Sequence, residues 1–188
     1  AEPQFFAESR NQADPRPYYA QVMTYFVAFG GLVLLSVTGF LNLLKFLIDP
    51  AYHAGLHIVP ILLLANLFLG IYFNLSIWYK LTERNQIGAL IAFLGALVTI
   101  VLNLALIPVI GYTGSALATL ASYLVMVITS YMLSRYYYPI PYQKARIGLY
   151  LAYALLLYGA GWSFENQIIG DWGWETILFK TGLIVLYA

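Results

Sequence analysis

Residues Ile87–Ile110 read IGALIAFLGALVTIVLNLALIPVI, a stretch without a single charged side chain. A helix that crosses the hydrocarbon core of a bilayer needs about 20 apolar residues, because each residue advances it by about 1.5 Å. This stretch is longer than that, and Thr99 and Asn103 are its only residues with polar side chains. It therefore predicts a transmembrane helix, from which the rest of the chain can be interpreted.

The composition of the whole chain is typical of a membrane protein. Apolar residues make up 62% of the 188 residues and charged residues 9%, whereas soluble domains carry about 25% charged residues. So apolar a chain is not expected to be disordered either. It contains no cysteine, which excludes disulfides and thiolate metal sites. The many Tyr and Phe side chains suit the boundary between lipid and water.

Six apolar stretches follow one another along the chain. We predict complete spans at Val22–Ile48, Ile58–Tyr79, Ile87–Ile110, Thr113–Ser134 and Ile147–Phe164, and the start of a sixth near Trp174. The short breaks predict antiparallel neighbours. An open sheet would leave edge amides unsatisfied in lipid, and a barrel would show strict alternation. The predicted fold class is therefore all-α, a polytopic transmembrane helix bundle.

The basic residues predict the orientation of the bundle. When the breaks are numbered alternately, one side receives seven of the nine Lys and Arg residues and the other receives none, while Lys45 and Lys180 fall within spans. Loops rich in Lys and Arg remain in the cytoplasm. We therefore expect residues 1–20 to be cytoplasmic and the loop of His53 and His57 to face outward. The seven residues are Arg10, Arg16, Lys80, Arg84, Arg135, Lys144 and Arg146.

Both ends of the sequence are expected to be boundaries of a piece of a longer protein. The chain begins at Ala1 without an initiator Met or a signal sequence, and it stops inside the apolar run Gly182–Ala188. We expect three parts. Residues 1–20 form a polar cytoplasmic end in which Pro15 and Pro17 break any helix, residues 21–136 form four spans, and residues 137–188 form a truncated final hairpin.

Lys45 is the first candidate binding residue. Asn42 precedes it by three residues and Asp49 follows it by four, so the three side chains share one helix face. A buried Lys beside an Asn can bind an anionic group such as a phosphate. The competing interpretation, favoured by the position of Lys45 near the end of its span, is that its ammonium extends to the interface and pairs with Asp49.

Three asparagines within the spans, Asn66, Asn74 and Asn103, are further candidates. An amide in hydrocarbon needs a hydrogen-bond partner. These amides either line a wet cavity and contact sugar hydroxyls, or they form a hydrogen bond to a neighbouring helix, which stabilises a membrane bundle by about 0.6 kcal/mol. The sequence leaves both interpretations open. Asn66 and Asn74, eight residues apart, are expected to share a face.

His53 and His57 are four residues apart, the spacing that can seat a metal on a helix. Pro50 and Gly55 instead predict a loop there, and a zinc site needs three or four ligands. We expect no metal and no cofactor.

Small residues recur at spacing four in Gly114, Ala118 and Ser122. This pattern predicts a close-packing face for another helix. The chain has no Gly-rich phosphate loop and no Gly-x-Ser-x-Gly or His-Glu-x-x-His motif. It is therefore not expected to be an enzyme.

Three stretches resemble the C-terminal half of bacterial polysaccharide-biosynthesis membrane proteins. They are Val59–Thr82 (VPILLLANLFLGIYFNLSIWYKLT), Asn103–Pro108 (NLALIP) with Gly111–Ala116 (GYTGSA), and Tyr137–Tyr142 (YYPIPY). The opening residues Ala1–Phe6 look like the cytoplasmic end of a preceding span. The chain is thus similar to O-antigen-type oligosaccharide flippases of the multidrug/oligosaccharidyl-lipid/polysaccharide exporter superfamily.

This resemblance implies a two-lobed flippase of the bacterial inner membrane, of which the chain is most of the C-terminal lobe. The family moves undecaprenyl-pyrophosphate-linked oligosaccharide from the cytoplasmic to the periplasmic leaflet by alternating access, for surface polysaccharide and lipopolysaccharide synthesis. The expected partners are the lipid-linked oligosaccharide, membrane lipids and the N-terminal lobe, with no nucleic acid. The candidate substrate-binding residues are Lys45, Asn42, Asn66, Asn74 and Asn103, while other pyrophosphate-binding cations are expected in the N-terminal part.

Three alternatives remain. A drug or cation antiporter of the same superfamily would need membrane-buried acidic residues, and the spans offer almost none. A membrane enzyme of envelope polysaccharide assembly would carry a large outer loop with catalytic Arg or His, whereas the outer loops here are short and lack Arg. A purely structural membrane scaffold is compatible with the sequence.

Overall fold

The computed structural model describes residues 14–41, 46, 48–167 and 174–187, and it describes side chains except in 162–167 and 174–177. Throughout these ranges the secondary structure is helical and contains no strand. The helices, in chain order, are α1 (Arg16–Gly39), the 3-10 helix η1 (Pro50–Ile58), α2 (Val59–Leu75), α3 (Ile77–Leu81), α4 (Asn85–Ile110), α5 (Tyr112–Tyr137), α6 (Lys144–Gln167) and α7 (Trp174–Tyr187).

Four helical segments within the described ranges are long and apolar enough to cross a membrane. They are Arg16–Gly39, Pro50–Leu81, Asn85–Ile110 and Tyr112–Tyr137. The prediction of an all-α membrane protein is confirmed to this extent.

The first helix begins earlier and ends earlier than the sequence predicted. Pro15 and Pro17 do not break a helix, because α1 begins at Arg16 between them. Proline is tolerated in the first helical turn, where its missing N–H would have no intrahelical partner in any case. At the other end, α1 finishes at Gly39, and the backbone N–H of Phe40 donates to Ser36 O at 3.1 Å.

The segment with the two histidines is a 3-10 helix and not the predicted loop. Asp49 begins it, since its carboxylate accepts the backbone N–H of Ala51 at 2.9 Å. The segment runs directly into α2 at Val59. The helix is interrupted at Ser76, which lies between α2 and α3. The Ser76 hydroxyl donates to Phe73 O at 2.6 Å.

Helix α5 packs against both α2 and α4. Ser122 donates its hydroxyl to Gly95 O on α4 at 2.6 Å, and a Cβ at Gly95 would overlap the side chain of Met126. The predicted close-packing face on α5 is therefore confirmed, and it continues along the whole helix. Its buried members, at spacing four, are Gly114, Ala118, Ser122, Met126, Ser130 and Ser134.

Helix α1 joins this group to the last two helices. It packs against α2, α6 and α7. On the α2 side, the buried Met23 and Val27 share a core with Leu67 and Ile71. Two layers of the bundle therefore meet along α1.

Candidate functional site

One end of the bundle gathers basic and aromatic side chains, and we call it the basic end. Three cations from separate parts of the chain lie over three tyrosine rings there. The distances to the ring centroids are 4.7 Å for Arg16 over Tyr138, 4.3 Å for Arg84 over Tyr137 and 5.3 Å for Lys144 over Tyr131. The start of α1, the start of α6 and the link before α4 therefore meet at the C-terminal end of α5.

Trp78 anchors this end in the interior. Its side chain is fully buried, and its ring stacks on that of Tyr137 with 5.7 Å between centroids and 5° between planes. Its indole N–H donates to Ser130 Oγ at 3.2 Å. Arg84 also lies over Tyr137. A buried indole, a tyrosine and a guanidinium thus form one connected stack from the core to the surface.

The link between α5 and α6, residues 138–143, closes the basic end under α1. Ile140 and Tyr142 are buried against Tyr19 and Met23 of α1. Pro139 and Pro141 are exposed. Burial raises the pKa of the Tyr142 hydroxyl well above its ordinary value, and the neighbouring Tyr131 raises it further.

Three enclosed polar atoms around this link have no hydrogen-bond partner among the described residues. They are the hydroxyls of Tyr131 and Tyr142 and the side-chain oxygen of Gln143. The two tyrosine rings lie 6.4 Å apart. An unsatisfied buried polar group is costly, so these atoms are the clearest vacant hydrogen-bonding positions at this end.

The opposite end, which we call the histidine end, is held by polar contacts between η1 and the start of α5. His57 Nδ1 lies 2.7 Å from Ala54 O, and its Nε2 lies 3.1 Å from Thr113 Oγ1. Since a carbonyl can only accept, Nδ1 carries the proton in the neutral ring, and Nε2 accepts from Thr113. Tyr112 donates its hydroxyl to Ala54 O at 3.0 Å.

The described contacts of the histidine ring nitrogens at this end are with backbone carbonyl and side-chain hydroxyl oxygens. His53 Nε2 lies 3.0 Å from Ile48 O, and His57 makes the two contacts given above. Among the residues that the structure describes, no group of three His, Cys, Asp or Glu side chains is arranged to hold a metal ion.

Asn66 and Asn74 form hydrogen bonds within their own helix. Their side-chain N–H groups donate to Leu62 O at 2.8 Å and to Gly70 O at 3.0 Å, each one turn earlier in α2. Asn66 is exposed and Asn74 is half-buried. With 3.6 residues per turn, their side chains lie roughly 80° apart around the helix. The hydrogen bond described for each amide is therefore made within α2, and neither bond reaches a neighbouring helix.

Asn103 differs from these two residues. It is half-buried in α4, and its side-chain oxygen is enclosed without a hydrogen-bond partner among the described residues. Of the predicted substrate-binding residues, it has the clearest unused acceptor. Lys45 and Asn42 lie outside the described residues.

The structure does not bring the three described asparagines together. Asn66 and Asn74 lie on α2 and Asn103 on α4, and no described contact joins them. The site that it does assemble, the basic end, was not predicted as such. Its signal in the sequence is the run of aromatic residues 136–138 directly after Arg135 and before Lys144.

The chemistry of the basic end suits an anion. Guanidinium and ammonium groups lie over ring faces, beside unused hydroxyl donors and the starts of three helices, whose N–H groups favour negative charge. Comparison with known proteins gives no family: no family model, no curated protein and no solved structure matches the chain.

Proposed function

We propose that the chain forms most of the C-terminal lobe of a flippase in the bacterial inner membrane. The cargo is undecaprenyl-pyrophosphate-linked oligosaccharide, moved from the cytoplasmic to the periplasmic leaflet for surface polysaccharide synthesis. In this proposal the lobe has five complete spans and the start of a sixth, α6 and α7 belong to the final hairpin, and the basic end faces the cytoplasm, as expected for basic loops.

One observation carries the proposal: the stretches that resemble such flippases lie against one another. Trp78 from Val59–Thr82 stacks on Tyr137 from Tyr137–Tyr142. The stretch Gly111–Ala116 begins α5, and α5 packs along α2, which is formed by the first stretch. The stretches that resemble flippase sequences therefore belong to one group of packed helices.

The physical task of a flippase explains why a helix bundle suits this role. A pyrophosphate-sugar head group cannot cross hydrocarbon unaided, because burying its charge is too unfavourable. A wet cleft between two bundles lowers this barrier, and rocking of the bundles opens it to each side in turn. The unused oxygen of Asn103 is suited to accept from a sugar hydroxyl, and Lys45 with Asn42 to meet an anionic group.

The absence of acidic residues from the described spans favours this cargo over a coupling cation. Helices α1, α2, α4 and α5 contain no Asp or Glu. A cation-coupled drug antiporter would need a buried carboxylate to hold its ion.

The test is transport by the full-length protein in proteoliposomes. A fluorescent lipid-linked oligosaccharide is added to one leaflet, and its movement is followed by loss of accessibility to a membrane-impermeant quencher. We expect movement that depends on the protein. Asn103→Leu, which keeps the side-chain size and removes the acceptor, should slow it about fivefold, as for one lost hydrogen bond.

The matched control is Asn66→Leu, since the Asn66 amide bonds to its own helix on an exposed face. Its rate should stay within twofold of the unmodified protein. Movement no faster than in protein-free vesicles would refute the proposal, and cation-driven drug exchange in the same vesicles would favour the antiporter.

A further inference from the structure

The basic end carries a strong excess of positive charge. The described residues there include six basic side chains and two acidic ones, Asp14 and Glu83. Arg16 and Asp14 form an ion pair at 3.8 Å, and both side chains are exposed. Helices α1, α4 and α6 all begin at this end, so the positive ends of three helix dipoles add to the charge. The basic residues are Arg16, Lys80, Arg84, Arg135, Lys144 and Arg146.

Three hydrogen-bond donors lie on neighbouring side chains within this field. Tyr142 is 9% exposed, and its enclosed hydroxyl has no partner among the described residues. Its ring lies 6.4 Å from that of Tyr131, whose hydroxyl is likewise enclosed and without such a partner. The ammonium of Lys144 lies 5.3 Å from the centroid of the Tyr131 ring. The hydroxyls of Tyr131 and Tyr142 and the ammonium of Lys144 are therefore carried by neighbouring side chains, and no described carboxylate pairs with Lys144.

The position of these donors relative to the membrane indicates the ligand. Arg16 is the first residue of a helix long and apolar enough to span a bilayer, and Tyr131 lies in the last two turns of another. Such positions lie at the level of the lipid head groups, where tyrosines are enriched. Phospholipid phosphates are the most abundant anions at that depth, and juxtamembrane Lys and Arg attract anionic lipids.

We propose that the basic end binds the phosphate of an anionic phospholipid between the N-termini of α1 and α6. Lys144 and Arg16 supply the positive charge, and the hydroxyls of Tyr131 and Tyr142 donate to the phosphate oxygens. Lys144 is exposed and a lysine side chain has a flexible four-carbon stem, so it can leave the ring of Tyr131 and admit the head group. This lipid is a bound component of the protein and is distinct from the proposed cargo.

The test measures lipid binding without transport. The full-length protein is placed in nanodiscs of phosphatidylcholine, with and without phosphatidylglycerol, and retained lipids are counted by native mass spectrometry. We expect preferential retention of phosphatidylglycerol. Lys144→Gln should lower the apparent affinity about tenfold, because it removes a charge-assisted hydrogen bond to the phosphate in addition to a diffuse charge. Tyr142→Phe, which changes no charge, should lower it about fivefold, as for one lost hydrogen bond.

Arg135→Gln is the charge-matched control, because Arg135 is exposed at the same end and the described cation–ring contacts of Tyr131 and Tyr138 are made by Lys144 and Arg16. Its effect should stay below twofold. Equal losses in Lys144→Gln and Arg135→Gln would mean diffuse attraction and overturn the site, as would an unchanged affinity in Tyr142→Phe.

Inorganic phosphate distinguishes a lipid from a free anion. If millimolar phosphate displaces phosphatidylglycerol completely, the site belongs to a soluble anion and the lipid assignment is wrong. Folding of each variant is checked by circular dichroism, and Lys144→Arg, which keeps the charge, should bind as the unmodified protein does. Absence of flipping by the unmodified protein, with lipid retention intact, would refute the proposed function alone.

Discussion

The two ends of the bundle are held together in different ways. At the basic end, the fully buried Trp78 stacks on Tyr137 and bonds to Ser130 on the neighbouring helix. At the histidine end, the exposed His57 and Tyr112 connect η1 to α5 through single hydrogen bonds. Buried packing resists local opening, whereas exposed hydrogen bonds open readily. The basic end should therefore be the rigid end and the histidine end the adaptable one.

The largest effect is expected from Trp78→Ala. Removing a fully buried indole leaves a cavity and strands the hydroxyl of Ser130, so the free energy of unfolding should fall by about 3 kcal/mol. Reversible unfolding in mixed micelles measures this change. The control is Tyr25→Ala, because Tyr25 is 73% exposed, and it should change the free energy by less than about 0.5 kcal/mol. Equal effects would show that the stack does not hold the basic end.

A smaller effect is expected from Thr113→Val at the histidine end. It removes the hydroxyl that meets His57, and hydrogen bonds between membrane helices contribute about 0.6 kcal/mol on average. Hydrogen exchange in Pro50–Ile58 should accelerate by about threefold, while exchange around Trp78 stays unchanged. In the control Thr119→Val, the lost bond runs to Ser115 O within α5, so Pro50–Ile58 should exchange as before.

The smallest effect concerns alkaline pH and the hydroxyl of Tyr142. Its pKa in the folded protein is raised above the ordinary 10.0 by burial. The folded state therefore keeps a proton that the unfolded state releases, and this contribution to stability is complete below pH of about 10 and is lost as the pH rises further. Tyr142→Phe should flatten the fall in unfolding free energy above that pH, measured against Tyr52→Phe, since Tyr52 is 71% exposed. Parallel curves for both variants would contradict it.

The boundaries of α4 and α5 could be predicted from the sequence to within a few residues. An uncharged apolar run lies between the charged Thr82–Asn85 link and Gly111, whose φ of +60° ends the helix. The start of α1 could not be predicted from the sequence. The tyrosines after Pro17 pack onto the link 138–143, and this contact favours a helix in a stretch whose polar composition predicts none.

Less of the candidate site could be predicted from the sequence. Trp78 and Ser130 are 52 residues apart, and His57 and Thr113 are 56 apart, so periodicity within one helix cannot reveal their contacts. The sequence predicted partners for Asn66 and Asn74 in a wet cavity or on a neighbouring helix, whereas the side-chain N–H of each bonds to its own helix. Local back-bonding of this kind competes with distant partners.

One tyrosine near the end of α7 has a consequence for the order of assembly. The hydroxyl of Tyr187 lies where a Cβ on Gly31 would be, and it donates to Tyr150 O on α6 at 3.4 Å. Since α1 is synthesised long before α7, the notch at Gly31 stays open while the intervening helices are made. Tyr187 can therefore pack against α1 and bond to α6 only once α7 has been made, so α7 completes the packing between these helices.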